Sequence, residues 1–410
     1  MELGIKNKIN LYAACILALL IPYKFIVPLV IALWFVYQLT QYKHINWKGF
    51  FSNFWMLVPL VYFLLHAVAY FFSYNKHEAL FSIEVKLSFL FLPFLFYNSK
   101  FDRKNFTTMA MVFVASNLLA VLVCTINSLV NYFSVGNLLT YNSYSLFLHP
   151  SYFAMYLVFS LILLLLADIQ ITKSKSASFV LLTIAALFIV SGIFFSASKM
   201  GLLSLGLIIP AIVFYKLFSA KKFIFSSILF VTLMVLGIAL FNTNFSPIQR
   251  LKNAFSFYNS NQAIDKTTTE SNAVRILVWK EAMELIKAKP FVGCTPGDAN
   301  GILYAAYEKA GLTGAFREHL NTHNQFLQTA VGLGLVGTIL LLIQTLGFLI
   351  YGFVKRNIWT LLFGLLIIVN FLVESMLQTE AGNLFFVFFY CLIISVKDLT
   401  HSVKTDKSIA

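Results

Sequence analysis

The stretch Glu318-His319-Leu320-Asn321-Thr322-His323-Asn324-Gln325-Phe326-Leu327 lies at an abrupt change in the character of the chain. The interval before it, from Asn242 to His323, is rich in charged and polar side chains, whereas residues 327–353 form a long apolar run. A run of that length is typical of a helix that crosses a bilayer. The stretch therefore predicts the point at which a wet segment of about eighty residues returns to the membrane.

Apolar runs dominate the rest of the chain and recur from Leu11 to Val396. Of its 410 residues, 60% are hydrophobic and only 11% are charged, which no soluble core requires. We predict an all-α polytopic membrane protein whose residues 1–410 form a single integral membrane domain. About twelve transmembrane helices are expected from the length of the runs. They are placed at 11–21, 25–40, 54–73, 80–97, 106–133, 150–168, 178–196, 200–218, 223–241, 327–353, 358–377 and 381–396.

The wet interval is predicted to be one large loop of amphipathic helices, 242–326, inserted between spans 223–241 and 327–353. The first two spans are short for a bilayer core of about 30 Å, so 11–40 is also consistent with one broken hairpin. A retained first span is favoured over a signal peptide, because no small-residue cleavage site follows the apolar run.

Basic residues predict the orientation, because those in short loops tend to stay cytoplasmic. Most lysines and arginines of the short loops fall on one face, which predicts that both termini are cytoplasmic and that the 242–326 loop lies on the outer side of the membrane. The net charge of +14 is largely this topological signal, so no nucleic acid partner is expected. The loop is basic as well, and long loops escape the charge rule, so its excess indicates an anionic ligand.

Cysteine and histidine positions argue against a metal or disulfide framework. The four cysteines are widely separated along the chain. His319 and His323 have a spacing that would put two imidazoles on one helical face, but no third ligand is evident. We therefore expect neither a metal site nor a cofactor.

Within the loop, an amphipathic helix is predicted to begin at Ser271-Asn272 and to stop at Pro290, and a second to run from about Asp298 to Lys309. Arg275 lies in the opening turn of the first helix, where the helix dipole disfavours a cation. Its side chain is either snorkelling toward water or held by an anion that backbone N–H groups also bind. Both readings stay open from the residues alone.

Two further polar residues stand at the membrane surface. His323 precedes the span 327–353, with Asn321 and Thr322 as cap candidates, so the dipole favours a neutral imidazole able to accept a proton. The alternative is an interfacial or capping histidine. Lys199, in the turn Phe195–Leu202, is a cation at membrane level that needs either an anionic partner or access to water.

Three motifs together resemble the O-antigen ligase and polymerase superfamily. They are the Ser-x-Ser-Lys-x-Gly-Leu-Leu turn at 196–203, Arg275-x-x-x-Trp279 followed by Pro290-x-x-Gly293-x-x-x-Gly297, and His323-Asn324-x-x-Leu327 with the glycines at 332, 334 and 337. The family usually carries Ser-Arg-Gly in the first turn. Here Lys199 replaces the arginine, which keeps the charge but loses bidentate phosphate geometry, and Met200 separates it from Gly201.

The resemblance implies a C-type glycosyltransferase of the bacterial inner membrane, inverting and metal-independent, with a periplasmic active site. It would move glycan from undecaprenyl diphosphate to an acceptor hydroxyl, with lipid A-core as the favoured acceptor and membrane lipid around it. His323 would act as the general base, and Arg275 and Lys199 would bind the donor diphosphate. Further candidates for the substrate cavity are His149, Lys86, Glu374, His319 and Asn324.

Alternatives remain at the level of sequence. An O-antigen or exopolysaccharide polymerase and a protein O-oligosaccharyltransferase need the same base and cations and differ in the acceptor. A lipid-linked oligosaccharide flippase or other transporter belongs to a different class. Transporters commonly show internal repeats and polar groups at mid-membrane, whereas no repeat is evident here and the polar residues gather near one surface.

Overall fold

The computed structural model describes residues 2–23, 26–167, 169–219 and 273–396, the short stretch 265–269, and positions 221, 222, 224, 225, 227, 228, 232 and 399. Some predictions fall outside these residues: most of the span 223–241, the part of the loop at 242–264, and the helix start at Ser271-Asn272.

Helices form the regular structure, and the described residues contain no strand. The prediction of an all-α protein is therefore confirmed. Numbered in chain order, the helices are α1 Glu2–Leu20, α2 Val27–Thr40, α3 Trp47–Phe51, α4 Phe54–Phe72, α5 Lys76–Glu84, α6 Leu87–Tyr97, α7 Arg103–Val135, α8 Pro150–Leu166, α9 Lys175–Phe195, α10 Lys199–Ser219, α11 Ala273–Ala288, α12 Ala299–Ala310, α13 Thr313–Arg317, α14 Gln325–Leu342, α15 Phe348–Val354, α16 Ile358–Phe371 and α17 Glu380–Ser395.

Within the described ranges, six segments are long and apolar enough to cross a membrane: Phe54–Phe72, Lys76–Tyr97, Arg103–Val135, Lys175–Phe195, Lys199–Phe218 and Gln325–Val354. Four shorter apolar helices, α2, α8, α16 and α17, accompany them. The chain is thus a multi-pass membrane protein. The count of twelve spans stays a prediction.

Several predicted boundaries are wrong. The first helix begins at Glu2 rather than at residue 11, and the span predicted at 80–97 begins at Lys76 and turns at Val85 and Lys86 between α5 and α6. The span predicted at 358–377 ends at Phe371, because Leu372–Thr379 forms a separate turn that includes a 3₁₀ segment at Met376–Gln378. Leu372, Val373, Met376 and Leu377 extend the apolar residues past the end of the helix, so hydropathy did not place the boundary.

Helices α8 and α17 lie at the centre of the bundle, and most of their side chains are buried. Aromatic rings join them to their neighbours: Tyr156 stacks on Phe385 at 4.5 Å, and Phe159 meets Phe389 at the same distance. This packing fixes the start of α8 and the turn before α17 relative to each other. Both ends contribute to the candidate site described below.

The loop helices α11, α12 and α13 form a small apolar core of their own, in which Val278, Leu303 and Tyr307 are fully buried. A carboxylate ties this unit to the bundle, since Asp298 accepts hydrogen bonds from the backbone N–H groups of Tyr74 and Asn75 at 2.9 and 2.8 Å. Burial alone would raise the pKa of Asp298, but these donors and the Thr295 hydroxyl hold it below its ordinary value. The loop unit is therefore anchored to the turn between α4 and α5.

A second attachment joins the turn after α11 to α14 at a point where the backbone hydrogen bonds of α14 are interrupted. Gly334 has φ 60° and ψ −154°, which interrupts the helix. The N–H of Leu335 donates to the carbonyl of Pro290 at 2.7 Å instead of to Val331, and the freed Val331 carbonyl accepts the N–H of Cys294 at 2.8 Å. The turn after α11 thus supplies the hydrogen bonds that the interrupted helix lacks, as a membrane-level backbone requires.

Glycines make this close approach possible. A Cβ at Gly293 would lie 2.6 Å from the Val331 carbonyl oxygen, and one at Gly334 would collide with the backbone of Phe291. Gly334 also has a backbone conformation that is essentially restricted to glycine. The glycines at 293 and 334, noted as motif residues in the sequence, therefore serve the interlock of loop and helix.

We predict that Gly334→Ala lowers the free energy of unfolding by about 1–3 kcal/mol, because a Cβ is incompatible with both the backbone angles and the contact with Phe291. Thermal unfolding of the purified protein in detergent would measure the change. Gly301→Ala is the matched control, since Gly301 is exposed in α12 with no atom within 4 Å of an added Cβ. Equal unfolding temperatures for the two variants would contradict the interlock.

Candidate functional site

A cavity of about 650 Å³ lies where α8, α10, α11 and α14 begin. It is bounded by residues of five segments that are far apart in sequence. Its lining is Thr140, Tyr141, His149, Ser151, Ala197, Ser198, Lys199, Met200, Thr269, Val274, Arg275, Leu320, His323 and Glu374. Five of the predicted site residues therefore line one cavity: His323, Arg275, Lys199, His149 and Glu374.

His323 and Glu374 form a contact within this cavity. Nδ1 of His323 lies 3.0 Å from Oε1 of Glu374, and both side chains are largely buried, with 26% and 13% of their surface exposed. Because Nδ1 is engaged, Nε2 is the ring nitrogen available for another proton exchange. The pair has the geometry of a base oriented by a carboxylate.

The turn that carries His323 is held by a network of buried polar groups. His323 has φ 44°, uncommon for a residue other than glycine, and its N–H donates to Asn321 Oδ1 at 2.8 Å. Thr322 is fully buried, and its N–H donates to Gln328 Oε1 at 3.1 Å. The backbone hydrogen bonds of Thr322 and His323 therefore help to fix the position of the imidazole, in addition to its contact with Glu374.

The turn that carries Glu374 is fixed against the same helix. The N–H of Asn324 donates to Ser375 Oγ at 3.2 Å, and the Asn324 amide donates to the Leu372 carbonyl at 3.0 Å. Gln325 Oε1 accepts the N–H of Leu377 at 2.6 Å. The start of α14 and the turn before α17 thus move as one unit, which keeps the imidazole and the carboxylate in register.

Lys199 occupies the first position of α10. Ser198 Oγ accepts the N–H of Gly201 at 3.1 Å and so satisfies one of the free amides at the start of the helix. A Cβ at Gly201 would collide with Ala154 of α8, so glycine is needed for the two helices to approach each other. The Ser-Lys-x-Gly pattern therefore places Lys199 at the start of α10, where this helix packs closely against α8.

Arg275 lies in the first turn of α11, one helical turn before Trp279. The indole Nε1 of Trp279 donates to the Thr322 carbonyl at 2.7 Å, in the peptide directly before His323. Residues four apart on a helix share a face, so Arg275 and Trp279 point the same way. This bond couples the helix that carries the arginine to the turn that carries the histidine.

The cavity is electropositive because four helices begin at it. His149 and Ser151 mark the start of α8, Lys199 that of α10, Arg275 that of α11, and His323 directly precedes the N-cap of α14. Each helix N-terminus carries roughly half a positive charge, and the side chains add cationic groups. An arrangement of this kind favours a phosphate or another anion.

Glu374 is the carboxylate that lines this cavity, and the groups around it lower its pKa. Burial alone would raise the pKa of Glu374, but the hydrogen bond with His323 and the charges of His323, Arg275 and His149 together hold it below the ordinary value of 4.5. The carboxylate is therefore ionised at neutral pH and available to orient the imidazole.

Three predicted cavity residues lie elsewhere. Lys86 is only 1% exposed at the turn between α5 and α6 and donates to the Leu377 carbonyl at 3.0 Å. His319 is exposed, packs edge-on against Tyr304, and presents its carbonyl to the Tyr304 hydroxyl. Asn324 caps α14 by accepting the N–H of Leu327 at 3.1 Å. None of the three lines the cavity.

Two local expectations are wrong. His319 and His323 do not share a helical face, because both adopt positive φ in the non-helical turn before α14. The helix is capped by Asn324 rather than by Asn321 or Thr322, whose polar groups instead hold the turn. In the described part of the chain, no group of three or more His, Cys, Asp or Glu side chains is arranged to hold a metal.

Sequence reasoning missed the pairing of His323 with Glu374, which are 51 residues apart. The one available signal was a carboxylate at the end of an apolar run, and it did identify Glu374 as a cavity candidate. The contributions of Thr140, Tyr141 and Trp279 to the site and its support carried no comparable signal, because hydroxyls and aromatic rings are common at membrane surfaces.

Residues 184–342 match the sequence model of the O-antigen ligase family. The predicted resemblance to the O-antigen ligase and polymerase superfamily is confirmed. The segment that matches the O-antigen ligase family includes Lys199, Arg275 and His323, whereas His149 and Glu374 lie outside it. Such family members are membrane glycosyltransferase-like enzymes. No curated protein matches the chain.

We predict that the partly buried carboxylate of Glu374 makes a pH-dependent contribution to the stability of the fold. Since the folded-state pKa of Glu374 lies below 4.5, the carboxylate stabilises the fold at higher pH, and this stabilisation is lost as the pH falls through the lowered value. Glu374→Gln should therefore lower the unfolding temperature at pH 7 and differ less from the wild type near pH 4.

The matched control for this experiment is Glu318→Gln, which alters an exposed carboxylate in the same region. The unfolding temperature of this variant should stay close to that of the wild type at both pH values. If Glu374→Gln unfolded at the wild-type temperature at pH 7, Glu374 would not be held by the cationic groups around the cavity.

Proposed function

We propose that this protein is an O-antigen ligase-like glycosyltransferase of the bacterial inner membrane. It would move a glycan from undecaprenyl diphosphate to an acceptor hydroxyl, with lipid A-core as the acceptor, at the periplasmic face. The observation that supports the proposal most directly is the His323–Glu374 contact of 3.0 Å in a cavity that Arg275 and Lys199 also line. A base and two cations are the groups that this transfer requires.

In the proposed reaction, the bond between the anomeric carbon and the diphosphate oxygen breaks, and the leaving group gains negative charge. Arg275 and Lys199, together with the dipoles at the N-termini of α10 and α11, are suited to stabilise that charge. Arginine can bind phosphate oxygens with two parallel hydrogen bonds, whereas lysine acts as a point charge. We assign the larger share of donor binding to Arg275.

His323 acts as the general base in this scheme. Its Nε2 takes the proton of the acceptor hydroxyl while the oxygen forms a bond to the anomeric carbon from the side opposite to the departing diphosphate. This geometry inverts the anomeric configuration. Glu374 keeps the imidazole oriented and stabilises the imidazolium that forms, as a third group does in other base-assisted nucleophile systems.

The proposal needs no divalent ion, because the cationic side chains and helix N-termini supply positive charge at the diphosphate. The acceptor distinguishes the ligase from a polymerase, which would use a second lipid-linked repeat, and from a protein O-oligosaccharyltransferase, which would use Ser or Thr. The cationic cavity serves all three reactions equally. A flippase would bind the same lipid but would make no glycosidic bond.

We predict that two substitutions separate binding from chemistry. His323→Ala should retain binding of an undecaprenyl diphosphate-linked glycan but slow transfer on the order of 10²- to 10⁴-fold, the usual contribution of a general base. Arg275→Ala should instead weaken donor binding by about 10- to 100-fold, because a charge-assisted contact is lost. Purified variants in lipid nanodiscs, with separate binding and product assays, would measure both effects.

The neighbouring histidine gives a matched control, since His319 is exposed and does not line the cavity. His319→Ala should therefore transfer glycan at close to the wild-type rate. Unchanged transfer by His323→Ala would remove His323 as the base. Flipping of the lipid-linked glycan by the wild type without any glycosidic product would overturn the enzyme class.

A further inference from the structure

The turn that follows α11 exposes two large apolar side chains side by side. Phe291 and Val292 have 68% and 71% of their surface exposed. They belong to the segment Pro290–Cys294, which pairs with the interrupted part of α14 through the hydrogen bonds of Pro290, Phe291 and Cys294. Exposure of such a pair to water is unfavourable by roughly 25 cal/mol for each Å² of apolar surface.

The position of this turn along α14 indicates its depth. The segment Gln325–Val354 has 30 residues, about 45 Å of helix, and so exceeds a bilayer core of about 30 Å. Leu335 and Val336, the partners of Pro290 and Phe291, lie about 15 Å along this helix from Gln325. A span centred in the bilayer therefore carries the paired turn into the hydrocarbon.

The exposed surface of the turn is continuous with the outward face of the span. Leu335, Val336 and Ile339 of α14 each have nearly half of their surface exposed. Because backbone hydrogen bonds hold Phe291 beside Val336, the two sets of side chains form one apolar patch. The same solvent must cover both parts of that patch, and for a membrane span it is lipid hydrocarbon.

Several backbone groups of the turn are paired with α14 or with the end of α11. Pro290 has no N–H, and its carbonyl accepts from Leu335 at 2.7 Å. The Phe291 carbonyl accepts from Val336 at 3.3 Å, and the N–H groups of Gly293 and Cys294 donate to Lys289 and Val331 at 3.2 and 2.8 Å. These bonds reduce the number of backbone polar groups that would lie in hydrocarbon without a partner.

We infer that the turn Pro290–Cys294 is a re-entrant wedge, in which Phe291 and Val292 contact the acyl chains of the bilayer lipids. Lys289 is exposed immediately before it, and a long cationic side chain at this place can extend toward the lipid headgroups. The wedge and Arg275 stand at opposite ends of α11. A part of the 242–326 loop is thus anchored in the membrane, and this anchorage does not depend on the reaction at the cavity.

The test places an environment-sensitive fluorophore at the wedge of the full-length protein. Phe291→Cys and Val292→Cys are each labelled with a nitrobenzoxadiazole reagent, in nanodiscs of phosphatidylethanolamine and phosphatidylglycerol. Lys280→Cys is the matched control, because Lys280 is exposed on the polar face of the same helix. The signal of the labelled wild type is subtracted, since Cys15 is half-buried and Cys124, Cys294 and Cys391 are buried.

We expect blue-shifted emission at positions 291 and 292, loss of most of the fluorescence with lipids that carry a doxyl group on the acyl chain, and little loss with aqueous iodide. The label at 280 should show the reverse. Quenching of both wedge labels by iodide and not by doxyl lipid would overturn the inference. If one wedge variant fails to fold, the other decides the outcome by the same criterion.

Discussion

Four helices begin at one cavity, so their amide dipoles direct positive charge into the same volume. This arrangement is costly unless an anion or a carboxylate compensates it, and Glu374 is the compensating carboxylate within the cavity lining. Its contact with His323 at 3.0 Å then orients the imidazole toward the remaining space. The positive charge of the four helix N-termini therefore accounts for the ionised carboxylate, and the carboxylate in turn orients the histidine.

The loop helices are placed over this cavity by three attachments of different kinds. The Asp298 carboxylate binds the turn between α4 and α5, Trp279 binds the carbonyl of Thr322, and the turn after α11 replaces a missing part of the α14 ladder. Each attachment uses a backbone group of the bundle. Substitution of Asp298, Trp279 or Gly334 would in each case remove one of the three attachments.

Hydropathy and helical periodicity predicted most of the architecture. The amphipathic pattern between 271 and 290 predicted a helix, and the structure has one at Ala273–Ala288. The break at Gly334 and the turn at Leu372–Thr379 escaped prediction, because both depend on tertiary hydrogen bonds that no sequence pattern shows. Helix period alone assigned continuous spans to both regions.

The candidate site was predicted as a set of residues but not as an arrangement. Arg275, Lys199 and His323 were found through charge at membrane level and motif spacing, and Glu374 through its place in an apolar run. Lys86 satisfied the same rule and yet lies in a buried hydrogen bond to Leu377, because a polar group near the membrane can serve packing as well as chemistry. Only the folded chain distinguishes these two uses.

The proposed glycosyl transfer is tested most directly by the product that the purified wild-type protein forms from an undecaprenyl diphosphate-linked glycan and lipid A-core. Mass spectrometry would detect the joined product, and NMR would give the configuration at the new anomeric centre. We expect a new glycosidic bond with inverted configuration, together with release of undecaprenyl diphosphate. A product with retained configuration, or no joined product with any hydroxyl acceptor, would contradict it.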